Sequence, residues 1–142
     1  MKIILNVRGY ADMGKTTTIK TAYQKLSGKT VKGEILTEPP ITVQGKLVGF
    51  VSYGDTDENR ALIQLLVDLK CDIIVCASRT KGASSNAVLE IARANDYQVV
   101  TMSPFTYVGW PSTEEIRMSL IDIFTEINSN AILKFIEEAV KL

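Results

Sequence analysis

The feature that most constrains this chain is the stretch ILNVRGYADMGKTT, residues 4–17, which joins an apolar run to a Gly-Lys-Thr cluster through a loop with a glycine at each end. Residues 3–7, IILNV, make a short branched-chain run of the kind that forms strands buried on both faces. Beyond the loop, Ile19, Ala22, Tyr23 and Leu26 recur at i, i+3, i+4 and i+7. That spacing predicts a helix with one apolar face, ending near Ser27-Gly28-Lys29 with Gly28 as its cap. The stretch reads strand, loop, helix.

Gly9-Tyr10-Ala11-Asp12-Met13-Gly14-Lys15-Thr16 fits G-x-x-x-x-G-K-[ST] without a mismatch. A loop of this length can wrap a phosphate with successive backbone N–H groups and deliver it to the positive end of the following helix. Glycine is needed where the chain turns sharply or approaches the phosphate too closely for a side chain. Lys15 then reaches the terminal phosphates, and the Thr16 hydroxyl is placed to ligate magnesium. Asp12 would be repelled by bound phosphates; it would either meet a substrate hydroxyl or a cation, or stay in solvent.

Residues 3–27 resemble the Walker A region of P-loop NTPases, and the α/β alternation to about residue 102 is consistent with that fold. The resemblance implies nucleotide-binding roles for Gly9, Gly14, Lys15, Thr16 and Thr17. The run GKTTT is similar to the branch that includes signal-recognition GTPases and partitioning ATPases. The partitioning ATPases carry a lysine directly after the first glycine, where this chain has Tyr10, so it departs from that branch.

Further along, β-branched and aromatic residues in 31–53 are punctuated by Pro39-Pro40 and by a tight turn at Gln44-Gly45, so ITV and KLVGFVS are expected to pair as an antiparallel hairpin with the second strand more buried. Leu62, Leu65, Leu66 and Leu69 predict an apolar helix face between Thr56 and Lys70. The strand DIIVCA, a helix over 84–94 with Val88 and Ile91 inward, and the strand YQVVTM at 97–102 follow. Ser112 or Thr113 ahead of two glutamates makes a helix start. Ile116, Leu120, Ile123, Phe124 and Ile127 give one apolar face, Asn128-Ser129-Asn130 is expected to break the helix, and Ile132, Phe135, Ile136 and Val140 give a second. The expected fold is α/β: one P-loop NTPase-like domain over residues 1–142, a layered sheet of about five mostly parallel strands with one antiparallel hairpin strand, and helices on both faces.

In an open parallel sheet, ligands bind beyond the carboxyl ends of the strands. Asp55 follows the strand LVGFVSYG and so lies on the edge where the glycine loop emerges, whereas Asp72 opens its strand at the opposite edge. Asp55 is therefore the Walker B candidate, holding magnesium directly or through water. Asp57 and Glu58 are candidates to orient a water or accept a proton, although acids also favour the first turn of a helix for dipole reasons. Arg79 and Lys81 project from the same edge, where a transferring phosphoryl group needs positive charge. Ser84, Ser85 and Asn86 are expected to cap the next helix. Phe105, Tyr107 and Trp110 are read as a hydrophobic loop packed under the C-terminal helices, with an aromatic wall for a base or a partner as the competing reading.

Composition narrows the chemistry. The 142 residues include 46% hydrophobic and 23% charged residues, and 16 basic side chains balance 16 acidic ones. Zero net charge disfavours nucleic acid and membrane surfaces as partners. With no histidine and only Cys71 and Cys76, structural zinc and histidine acid–base catalysis are excluded. The cysteines read as buried reduced thiols, and no run approaches a membrane span, so a cytoplasmic protein is expected. The D-x-x-G switch pattern of small GTPases would need glycine where Glu58 stands, and N-K-x-D is missing where the chain reads TMSP. ATP is thus expected over GTP, with Mg2+. The expected activity is γ-phosphoryl transfer by Lys15, Asp55, Arg79 and Glu58, to water or a small hydroxyl substrate. The alternative is a slow or non-enzymatic nucleotide-binding module that controls a protein partner.

Overall fold

The computed structural model describes residues 1–9, 15–33, 38–52, 56–79, 83–106 and 113–142. Among them, five strands form one sheet: β1 (Ile3–Gly9), β2 (Ile41–Val43), β3 (Lys46–Val51), β4 (Ile73–Arg79) and β5 (Gln98–Met102), in the order β2-β3-β4-β1-β5. β2 runs antiparallel to β3 and every other pair is parallel. The helices are α1 (Lys15–Ser27), α2 (Thr56–Asp68), α3 (Ala83–Ala94) and α4 (Glu114–Ala139).

The sheet is covered on both sides, as its unalternating strands require. Ile3, Leu5 and Val7 of β1 and Ile73 and Val75 of β4 join Ile19, Ala22 and Tyr23 of α1 and Ile132 and Ile136 of α4 in one core. Ile4 and Ile74 join Ile63, Leu66 and Val67 of α2 and Val88, Ile91 and Ala92 of α3 in the other. The β2–β3 hairpin turns at Gln44 and Gly45, both at positive φ (49° and 80°), which is the two-residue turn whose twist matches antiparallel strands. Gly28, at φ 72°, ends α1 and donates its N–H to the Gln24 carbonyl at 2.9 Å.

Four expectations are corrected. Leu65 of α2 and Leu69, in the turn just past it, are 50% and 48% exposed, and the buried side of the helix is Asn59, Ile63, Leu66 and Val67. Two stripes overlap at Leu66, and tertiary contacts select between them. Leu66 settles over Gly49 of β3, where an added Cβ would lie 2.8 Å from both Leu66 methyls, and the buried Asn59 amide donates to the Ala77 carbonyl at 2.8 Å.

The second correction is that residues 128–130 do not break the last helix, which runs unbroken for 26 residues. Asn128 and Asn130 turn their amides away from their own backbone, while Ser129 Oγ donates back to the Glu126 carbonyl at 3.2 Å within a helix that stays continuous. Asn128 accepts from the Phe105 N–H at 2.8 Å and donates to the Phe105 carbonyl at 3.0 Å. Lys25 of α1 donates to Ser129 Oγ at 3.1 Å and to Asn130 Oδ1 at 3.0 Å, and pairs with Glu126 at 2.7 Å. Thr113 caps the helix, its hydroxyl accepting from the Ile116 N–H.

Third, the stripe of Ile116, Leu120, Ile123, Phe124 and Ile127 is not a core face, because no residue from 113 to 127 is buried. Phe105 is likewise 65% exposed, against the packed-loop expectation. Tyr107 and Trp110 lie outside the described residues.

Candidate functional site

β1 ends at Gly9 and α1 begins at Lys15, so the strand and helix flanking the glycine loop stand where the spacing requires. Loop residues Tyr10, Ala11, Asp12, Met13 and Gly14 lie outside the described residues, as do Asp55 and Lys81. The first turn of α1 carries no acidic residue, so no side chain within that turn opposes an anion at the positive end of its dipole. α4 differs, with Glu114 and Glu115 in its first turn.

β4 stands between β1 and β3. The strand leading to Asp55 is therefore two positions from the strand leading to the glycine loop, about 9.6 Å at ordinary strand spacing. α1 bridges that gap, because Thr16 Oγ1 donates to the Ser52 carbonyl, just past β3, at 3.0 Å. Thr16 and Thr17 are exposed and Thr18 is buried. The strand between carries the basic candidate: Arg79, the exposed last residue of β4, is in register with Gly9. Glu58 is exposed in the first turn of α2, where Asp57 also lies. α3 begins at Ala83, so Ser84, Ser85 and Asn86 fall within its first turn instead of ahead of it. Asp72 is at the opposite edge, where its carboxylate accepts from the Leu47 N–H at 2.9 Å.

Four residues that sequence reasoning passed over gather beside these ends. Arg8, half-buried and next to Gly9, is in register with Ser78. Ser78, Ser52 and Asn59 are wholly shielded from solvent. The hydroxyls of Ser52 and Ser78 make no hydrogen bond among the described residues. Burying a hydroxyl without a partner costs free energy, so two of them at adjacent strand ends mark an edge not optimised for packing alone. A polar residue at the tail of an apolar strand was the available signal, in SR after IIVCA and in R after IILNV. Asn6 shows the same trait deeper in β1, accepting from the Cys76 thiol at 3.9 Å.

The cysteines take no part in this chemistry. Both are free and buried; burial pushes the Cys71 thiol up to about 11, with the Asp72 charge adding to it, and the Cys76 thiol up to about 12. Thiols held protonated are poor nucleophiles and poor metal ligands. Among the described residues no group of three or more Cys, Asp and Glu gathers into a metal cage. Magnesium needs few protein ligands, since it keeps waters and substrate phosphate oxygens, and a threonine hydroxyl with one carboxylate is a sufficient donor set. A cleft of about 290 Å³ between Lys25, Val43, Gln44, Leu133 and Glu137 lies at the other edge of the sheet, near the hairpin turn.

Among the described residues, no helix is long and apolar enough to cross a membrane. Comparison with protein-family models, with curated proteins and with solved structures gave no match.

Proposed function

We propose that this chain binds a magnesium–nucleoside triphosphate, ATP in preference to GTP, at the carboxyl edge of β1, β4 and β3, and transfers its γ-phosphoryl group. The observation that carries the reading is the hydrogen bond from Thr16 to the Ser52 carbonyl. It ties the first turn of α1 to Ser52 just past β3, and Asp55 follows Ser52 by three residues. The Gly9–Arg79 register supports a cationic strand end directly beside the loop.

In this reading the loop amides and the α1 terminus bind the phosphates, and Lys15 reaches the terminal ones. Thr16 and Asp55 would hold magnesium, which supplies charge neutralisation on the phosphate oxygens. Arg79 stabilises charge on the transferring group. Glu58 orients or deprotonates the attacking water or hydroxyl. Exposure of Phe105 favours a second reading, a slow nucleotide-binding module that engages a partner.

Titration calorimetry with Mg–ATP, paired with release of labelled γ-phosphate, tests both. Wild type is expected to bind, and Lys15→Ala to weaken binding at least tenfold, about 1.4 kcal/mol or more. Turnover abolished by Lys15→Ala identifies the enzyme; tight binding with no turnover in either chain identifies the module. Equal affinity in wild type and Lys15→Ala removes both readings.

A further inference from the structure

The two halves of α4 carry apolar stripes on opposite sides. Ile132, Ile136 and Ala139, together with Asn128 and Ser129, share the buried side. Ile116, Leu120, Ile123 and Ile127 follow one another at i, i+4, i+7 and i+11. At about 100° per residue, the centre of this second stripe is displaced by roughly 160° from the buried side. It faces away from the sheet: Ile116, Ile123 and Ile127 are 46%, 53% and 42% exposed, and Leu120 is half-buried. Spacing of four, three and four residues is a two-heptad coiled-coil seam.

We propose that this seam is covered by the same seam of a second copy of the chain, in antiparallel orientation about a two-fold axis. Charge selects the occupant and its direction. The seam is flanked by Arg117 and Phe124 on one side and by Ser119 and Glu126 on the other. In an antiparallel pair like flanks meet, so Arg117 lies against Phe124 of the other copy and Glu126 against Ser119, and no like charges are opposed. Ile116 then meets Ile127, and Leu120 meets Ile123. A parallel pair would prolong the seam into Lys134, which is 66% exposed, setting it against the same lysine of its partner, with Glu137 against Glu137 behind it. The antiparallel pair ends before those positions. A patch that complements itself gives a closed two-fold dimer and leaves no open face.

Sedimentation equilibrium of the full chain over low to high micromolar concentrations is expected to show a reversible monomer–dimer transition. Ile123→Glu should raise the dimer dissociation constant at least tenfold. Leu65→Glu alters an equally exposed residue on α2 and should leave it unchanged. Both sites are exposed, and circular dichroism would verify that each variant folds. Direction is read by disulfide trapping, for which the buried native thiols are silent. Ile116→Cys chains mixed with Ile127→Cys chains should cross-link to each other and not to themselves. A monomer at every concentration, an Ile123→Glu variant that dimerises as the wild type does, or cross-linking of Ile116→Cys to itself would each overturn the proposal.

Discussion

Along β1 and β4, the amino-terminal halves bury Ile3, Ile4, Leu5, Ile73, Ile74 and Val75, whereas the carboxyl-terminal halves bury Asn6, Cys76 and Ser78 alongside Val7 and Ala77, with Asn59 of α2 bonded beside them. Both regions are dry and both belong to the same strands. They differ in what they contribute. The first is apolar on both faces and supplies the area that holds the helices down. The second places hydroxyls and amides where apolar atoms would pack at lower cost, at the edge from which the glycine loop, α2 and α3 depart. Polar burial concentrated at one end of the sheet separates the end that serves stability from the end proposed above to bind nucleotide.

The largest test of this contrast lies in the apolar half. Ile74→Ala removes a wholly buried side chain between two layers and is expected to lower the unfolding free energy by about 2–5 kcal/mol in urea titrations. A loss below about 1 kcal/mol would mean the apolar half is not the stabilising one.

A second test sits at the boundary. The Cys76 thiol, raised by burial from 9.0 to about 12, stays protonated in the folded chain while its unfolded counterpart ionises. Its contribution is therefore whole below pH 9.0 and is lost as pH rises towards 12. Stability should fall by roughly 1.4 kcal/mol per pH unit from this group. Denaturation midpoints at pH 9, 10 and 11 would show the slope, and Cys76→Ala should remove its own share while Cys71, raised to about 11, keeps supplying a second; an unchanged slope in that variant would rule the Cys76 thiol out as a source.

The smallest expected effect is the sharpest discriminator. Ser78→Ala deletes a buried hydroxyl without a partner among the described residues, so stability should hold or rise by up to about 1 kcal/mol. Nucleotide affinity should fall if the polar edge is the binding edge. A clear loss of stability with unchanged affinity would reverse the distinction between the two halves.

The element types were legible because their signals are local. Gln44-Gly45 makes a hairpin turn through the φ values of two adjacent residues, Gly28 ends α1 on its own conformational freedom, and Thr113 caps α4 with its own hydroxyl. The buried strands IILNV and IIVCA announce themselves by composition over five residues. The rotation of α2 was not legible, since Leu65 and Ile63 both fit a helical stripe and only the fit of Leu66 over Gly49 and of Asn59 on Ala77 distinguishes them. Nor was the continuity of α4, because Asn128, Ser129 and Asn130 find their partners in Phe105 and Lys25, far away in sequence.

Strand order belongs with these. The motif determined that a strand precedes residues 10–14 and a helix follows them, and the strand ends determined which residues share an edge. Only the tertiary structure inserted β4 between β1 and β3, set Arg79 beside Gly9, brought Thr16 across to Ser52 and turned the first stripe of α4 outward. Turn, cap and periodicity are decided by the backbone freedom and spacing of neighbouring residues. Pairing order and helix rotation are decided by which surfaces fit best among residues distant along the chain, and that competition leaves no mark on any single stretch of sequence.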